Sequence, residues 1–183
     1  MRTTRALVTT ALSAGTLTLG VLAAPAAGAS DHSAGGATTV VLDPELLSVL
    51  VDTLQVAPVA PGELSAPDGA VQVSFPITEV DDEEIEHEGG LRFSPVGGGW
   101  LRITDFEIEL EEGVLDAETT LNGTDLGQVD IFALGAAQPI NGEVPSCDGV
   151  QAGLTLTAGA AEALGAPDFA GAFIGNACVV PEI

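Results

Sequence analysis

The chain has 183 residues, of which 27 are acidic and 4 are basic, and it contains no tyrosine. Nucleic acid and anionic lipid are excluded as partners, because binding to either requires clusters of Lys or Arg. The negative charge leaves two interpretations open: attraction of a cation or a basic partner, or solubility in a salty medium. Composition by itself favours solubility.

The first 29 residues have the three parts of a secretory signal peptide. Arg2 and Arg5 give a positive start, residues 6–28 form an uncharged run rich in Leu, Val and Ala, and Ala27-Gly28-Ala29 is an A-x-A cleavage signal. A membrane anchor is the alternative, but glycines and a proline interrupt the run and no Lys or Arg flank follows it. We therefore predict that residues 1–29 are removed and that the protein is secreted, with no membrane span after cleavage.

The remaining 154 residues (183 minus 29) suit a single domain. Small and polar residues fill positions 30–39, "SDHSAGGATT", which predicts a flexible N-terminal tail ahead of one β domain at 40–183. Cys147 and Cys178 are the only cysteines, and an even pair in an exported chain predicts a disulfide. A reactive thiol is the alternative, but no basic residue lies near either cysteine in sequence to stabilise a thiolate.

The stretch "DPELLSVLVDTLQV" that follows the tail predicts one short amphipathic helix. Asp43 is suited to the N-cap and Pro44 to the first helical position. The apolar positions recur at helical spacing and predict a buried stripe. They are Leu46, Leu47, Leu50, Val51 and Leu54.

Alternating patterns indicate strands in most of the chain beyond residue 70. In "AVQVSFPITEV" the apolar residues alternate with polar ones, and Pro76 predicts an edge position or a bulge. In "WLRITDFEIEL" the apolar face changes parity near Thr104 and Asp105, which predicts a β-bulge there. The turn "EEG" and the dipeptide Asn122-Gly123 then predict two successive hairpins.

Within the first hairpin, "VLDAETTL" alternates an apolar face with an acidic one, so Asp116 and Glu118 are predicted to be solvated. Further short strands follow in "VQAGLTLT" and "FAGAFIGNACVV". Short strands separated by turn signals predict a mainly β fold: an antiparallel β-sandwich or an open barrel with one short N-terminal helix and one disulfide.

Catalytic and metal-binding patterns are weak. Beyond residue 29 the chain has no Lys and no Tyr, His32 lies in the predicted tail, and no G-x-S-x-G motif occurs, so we predict that the protein is not an enzyme. The acidic run around His87, "DDEEIEHE", lacks the spacing of a calcium-binding loop and the further His or Cys that zinc requires. It is predicted to be a solvated loop, with no metal site.

Four segments together resemble a known family. They are "IEHEGGLRF", "LRITDFEIELEEGVLDAETTLNG", "GQVDIFAL" and "AGLTLTAGAAEAL". In this order they are similar to the HtaA-domain family of secreted and surface proteins of Gram-positive bacteria, over roughly Val71 to Ala177. The resemblance implies a β-rich domain that, in the best-known members, binds haem at the cell surface and passes it on.

The resemblance also implies a ligand set that this chain lacks in part. Those members hold the haem iron through a tyrosine supported by a histidine, and His87 aligns with that histidine. Because the chain has no tyrosine, phenolate ligation cannot occur. Either His87 ligates the iron directly, or haem binding has been lost while the fold persists. Arg92 and Arg102 are the candidates to pair with haem propionates.

A purely structural role for His87 is the competing hypothesis, in which Gly89-Gly90 supply positive φ or a bulge before a strand and His87 spans the turn. The sequence therefore predicts a secreted, non-catalytic, extracellular or cell-surface binding or structural domain of HtaA-like type with an unknown ligand or partner. The alternative function is a haem-binding module of a surface haem-uptake system. The candidate ligand-binding residues are His87, Arg92 and Arg102.

Overall fold

The computed structural model describes residues 35–182, so the predicted signal peptide and residues 30–34 of the predicted tail lie outside the described residues. Eleven strands are formed. They are β1 (Gly35–Leu42), β2 (Ala57–Val59), β3 (Glu63–Ser65), β4 (Gln72–Val80), β5 (Glu84–His87), β6 (Gly90–Phe93), β7 (Leu101–Glu109), β8 (Val114–Leu121), β9 (Thr124–Gly135), β10 (Val150–Leu156) and β11 (Phe173–Glu182). One short helix, α1 (Ala158–Ala163), lies between β10 and β11, and there is a π-helical turn at Val49–Thr53.

The strands close into an antiparallel barrel. Seven strands of the barrel wall are paired in the order β4-β1-β11-β10-β9-β8-β7. The short strands β5 and β6 together form the eighth position: β5 pairs with both β4 and β7, and β6 pairs with β7 further along the same strand. Two short strands attach outside this path, β2 to β6 and β3 to β4. The predicted antiparallel β fold is confirmed, but the sandwich and the open barrel were both wrong, since β7 pairs with strands on either side and leaves no open seam.

The predicted N-terminal tail was wrong for residues 35–39, which belong to β1. This strand pairs with β11 along its whole length and with β4 on its other side, so it is an integral strand of the barrel wall. Its small residues serve close packing: a Cβ on Gly36, where φ is +108°, would lie 2.2 Å from the Val180 carbonyl oxygen. Polar composition alone therefore suggested a mobile segment where the barrel needs a thin strand.

The predicted helix is present in a shortened form. The Glu45 amide donates to the Asp43 carboxylate at 2.9 Å, as an N-cap requires, and the helical turn ends with a π-type bond from the Leu54 amide to the Val49 carbonyl. Leu54 is buried, whereas Val51 is 60% exposed. Val51 is therefore not part of the buried stripe that the sequence predicted.

Several predicted local features are confirmed. The β7 register shifts between Thr104 and Phe106, and Asp105 has a φ of +53°, which is the predicted bulge. Asn122 and Gly123 both have positive φ at the β8–β9 turn, as a type I′ hairpin requires. Pro76 is not on an edge, because β4 lies between β1 and β5, but the β4–β5 register shifts just after it, between Ile77 and Glu79.

The predicted disulfide joins Cys147, in the loop before β10, to Cys178 in β11, with the two Cα atoms 5.6 Å apart. The buried Asn176 side chain holds the same loop through two 2.8 Å hydrogen bonds with the backbone of Gln138. Among residues 35–182, no helix is both long and apolar enough to cross a membrane.

Asp116 departs from its predicted place on a solvated face, since it is only 9% exposed. Its inward neighbours Leu115 and Ala117 are buried as predicted, and Glu118 is exposed as predicted. Asp116 points to the outer wall, where it lies between its cross-strand partners Glu107 on β7 and Asp130 on β9. Neighbouring strands on both sides shield the carboxylate from water.

Candidate binding cavity inside the barrel

The barrel contains an apolar cavity of about 130 Å³ that is partly open to solvent. Its walls are formed by the inward-facing side chains of the barrel strands, and it is bounded by the helical segment before β2 and by α1. Every lining side chain is apolar except those of Thr38 and His87. The alternation of apolar and polar residues along the barrel strands explains this composition, because every second residue of a barrel strand faces inward.

His87 lies in the wall of this cavity and is only 4% exposed. Its Nδ1 is 3.0 Å from the Phe106 carbonyl oxygen, and its Nε2 is 2.6 Å from the Thr38 hydroxyl. A carbonyl oxygen can only accept, so Nδ1 carries the proton and donates to Phe106. In the neutral ring Nε2 then accepts from the Thr38 hydroxyl, and both ring nitrogens are engaged.

The break between β5 and β6 explains why the imidazole is needed here. The β5–β7 ladder ends at the pair Glu86–Glu107, so Phe106 lies one residue beyond the last pair and its carbonyl bonds to the ring. Gly89, with a φ of +100°, turns the chain at the break. A Cβ on Gly90 would lie 2.0 Å from the Ile103 carbonyl oxygen, so the chain can approach β7 this closely only as glycine.

Burial lowers the pKa of His87 below its usual range, because the charged imidazolium would lose its hydration. The hydrogen bond to the Phe106 carbonyl opposes this shift by favouring a protonated Nδ1. The imidazole is therefore neutral at pH 7, and it is a satisfied polar group in an apolar wall.

The two arginines predicted to bind a ligand do not line the cavity. Arg92 and Arg102 are exposed on the outer wall, directly opposite each other across the β6–β7 pair. The Arg92 guanidinium carbon is 5.2 Å from the centre of the Trp100 ring. The three sequence-predicted site residues are thus not brought together: His87 faces the cavity, while both arginines face solvent. Their roles in ligand binding remain predictions.

Thr38 is the site residue that the sequence prediction missed, because it fell within the predicted tail. It is 2% exposed and donates the hydrogen bond that occupies His87 Nε2. A signal for it does exist, since Thr38, Val40 and Leu42 alternate along "GATTVVL" as the inward positions of a strand do.

A closed antiparallel barrel with an apolar cavity is an architecture that proteins use to hold small ligands. No protein-family model matches the sequence, and no curated protein matches it. Among solved structures, the chain is similar to the heme binding protein HtaB from Corynebacterium glutamicum, with a TM-score of 0.57 and 10% identity over 80% of this chain and 92% of HtaB. It is also similar to the C-terminal domain of HtaA from the same organism, with a TM-score of 0.48 and 16% identity over 80% of this chain and 99% of that domain.

The likeness to HtaB concerns the fold, since the identity is only 10%. It confirms the HtaA-domain-like fold that the sequence resemblance implied.

Proposed function

We propose that this protein is an exported, non-catalytic binding domain that holds a small apolar ligand inside its HtaA-like barrel. The observation that carries the proposal is the apolar cavity inside the barrel, whose only polar lining groups, Thr38 and His87, bond to each other. Because their hydrogen bonds are satisfied within the protein, a ligand gains nothing by presenting polar atoms to them. The site therefore selects for apolar surface.

The size of the cavity sets the class of ligand. Its volume of about 130 Å³ is close to that of an engineered protein cavity of about 150 Å³ that binds benzene. A single aromatic ring or the end of an alkyl chain fits such a space.

The chemistry of the chain supports a binding role in preference to catalysis. Beyond residue 29 there is no Lys and no Tyr to act as a nucleophile or base. The imidazole of His87 has both nitrogens in hydrogen bonds to protein groups. The bridge between Cys147 and Cys178 supports export, because disulfides persist in oxidising compartments.

Haem binding is the second candidate, because HtaB, which shares the fold, is a heme binding protein. The residues of this chain do not fit haem. No tyrosine exists to ligate the iron, His87 Nε2 is occupied by Thr38, and Arg92 and Arg102 lie on the opposite side of the barrel wall. A cavity of about 130 Å³ is also well below the 300–1,000 Å³ of pockets that hold drug-sized ligands.

Titration calorimetry of the exported protein with benzene and with indole tests the proposal. Ala160 is 2% exposed and lines the cavity, so Ala160→Leu should fill it and weaken binding by at least about tenfold. Ala158→Leu is the matched control, because Ala158 is exposed on the same helix and should leave affinity unchanged. Equal affinity of the two variants, or no binding by the unmodified protein, contradicts the proposal.

A parallel titration with hemin tests the second candidate. A saturable Soret shift that His87→Ala abolishes, together with no response to benzene or indole, would favour haem binding over a small apolar ligand. Absence of a saturable shift would exclude haem at this site.

A further inference from the structure

Carboxylates form a continuous row across the outer wall of the barrel, on the side of the wall away from the cavity. Each member lies directly opposite the next on the neighbouring strand, over β4, β5, β7, β8 and β9. The row consists of Glu79, Glu86, Glu107, Asp116 and Asp130. Glu84 and Glu109 form a second opposed pair beside it. Like charges directly opposite each other destabilise a sheet, so this arrangement opposes folding unless something neutralises it.

The protein does not supply the neutralising charge itself. Arg92 and Arg102 are the only Lys or Arg side chains in residues 35–182, and they lie opposite each other on β6 and β7. Arg102 is five residues from Glu107 along the same strand, which is roughly 16 Å at the rise of a β-strand. A neutralising cation must therefore come from solution.

Three carboxylates of this patch are arranged to share one ion. One oxygen from each of Glu84, Glu107 and Glu109 lies within 4.8 Å of the others. Calcium–oxygen bonds are about 2.3–2.6 Å long, so ligands on opposite sides of the ion are roughly 4.6–5.2 Å apart. The three oxygens can thus contact one calcium ion with little rearrangement.

Asp116 provides an independent indication that a cation belongs here. Asp116 is only 9% exposed, and its buried Oδ1 has no hydrogen-bond partner. It lies directly opposite Glu107, and its charged neighbours include all three members of the cluster. A buried, unpartnered carboxylate oxygen is costly in a native protein and calls for an ion or a water that satisfies it.

We infer that the outer wall binds one divalent cation of the calcium type through Glu84, Glu107 and Glu109, with Asp116 beside them as the fourth carboxylate. An all-oxygen ligand set suits a hard cation and not zinc or copper, which favour nitrogen and sulfur. Half-exposed, flexible glutamates suit calcium better than magnesium, which demands near-ideal octahedral geometry. The ion would tie β5, β7 and β8 together where the barrel closes.

Titration calorimetry with CaCl2 on the chelator-treated exported protein, at pH 7.5 in 0.15 M NaCl, tests this inference. We expect one ion per chain with a Kd at or below about 1 mM, as in extracellular calcium modules, and at least about tenfold weaker binding of MgCl2. Asp116→Asn should raise the calcium Kd at least about tenfold. Glu118→Gln is the matched control on the same strand, and it should change the Kd less than about twofold.

Glu109→Gln is a second variant, with a half-exposed side chain whose loss should not prevent folding. It should also raise the Kd at least about tenfold. Two results would overturn the inference: no calcium binding up to 10 mM, or equal effects of Asp116→Asn and Glu118→Gln on the Kd. Since this site is on the outer wall, neither result bears on the apolar cavity.

Discussion

His87 has a structural role, because its ring bonds to the Phe106 carbonyl just beyond the last backbone pair between β5 and β7. We expect His87→Ala to lower the free energy of unfolding by about 2–4 kcal/mol, because it leaves the Phe106 carbonyl and the Thr38 hydroxyl without their partner and enlarges the cavity. Urea denaturation at pH 7.5 measures this change. Thr38→Val keeps the Phe106 bond and should cost only about 1 kcal/mol. A His87→Ala cost no larger than that of Thr38→Val would contradict the account.

Asp116 is a residue whose charge opposes folding in the absence of a bound cation. Its folded-state pKa of about 6 is above the ordinary value of 3.8, so the folded protein binds the proton more tightly than the unfolded chain does. The resulting penalty is full above pH 6 and disappears as the pH falls towards 3.8.

Asp116→Asn should therefore stabilise the calcium-free protein by about 1–3 kcal/mol at pH 8 and have little effect at pH 4. Urea denaturation of the variant and the unmodified protein at the two pH values measures the difference. Destabilisation of the variant at pH 8 would show that the Asp116 carboxylate makes a favourable interaction.

At the scale of single elements, the bulge in β7 is held by Asp105 with a φ of +53°. Asp105 is exposed, and glycine adopts this conformation readily, so Asp105→Gly should change stability by less than about 1 kcal/mol. A β-branched side chain is strained at positive φ, and Asp105→Val should cost about 1–2 kcal/mol more than Asp105→Gly. Thermal melts of the two variants decide this, and equal melting temperatures would argue against a strained bulge.

Local sequence patterns predicted the elements that depend on neighbouring residues. The parity change in β7 and the Asn122-Gly123 turn each involve a few adjacent positions, and both are confirmed. The pattern failed for β1, whose Gly, Ala and Thr residues resemble a linker in isolation. Their role is visible only when β4 and β11 lie on either side.

At the scale of the whole molecule, closure of the barrel could not be predicted from one sequence. It depends on pairings between segments distant in sequence, such as β1 with β11. The alternation of apolar residues within one segment does not indicate which other segment it pairs with. The same limit applies to the site. His87 was a visible candidate, but its burial depends on Thr38, 49 residues away in sequence. Asp116 was predicted to be solvated because its shielding by β7 and β9 also comes from the folded sheet.

The acidic outer wall makes the stability of the whole barrel depend on salt. Sodium chloride screens repulsion over about 10 Å at 0.1 M and about 3 Å at 1 M. The melting temperature of the calcium-free protein should therefore rise across that range. Scanning calorimetry in NaCl measures the effect, and a melting temperature independent of salt would mean that the carboxylates are already neutralised.

Mild acid should act in two opposing ways. Protonation of Asp116, whose pKa is about 6 in the folded protein, relieves its penalty as the pH falls through 6 towards 3.8. The depressed pKa of buried His87 works against this, because its stabilising contribution is lost as the pH falls below 6.5 towards its folded-state pKa. We expect maximal stability near pH 6, to be measured by urea denaturation from pH 4 to 9. A maximum at pH 8 or above would show that the carboxylates carry no such strain.

A crystal structure of the protein pressurised with xenon or soaked with benzene tests most directly whether the barrel interior is the binding site. We expect ligand density in the apolar cavity beside His87, with the hydrogen bonds of His87 to Thr38 and Phe106 retained. Density on the outer wall near Arg92 and Arg102, with a dry and empty barrel interior, would contradict it.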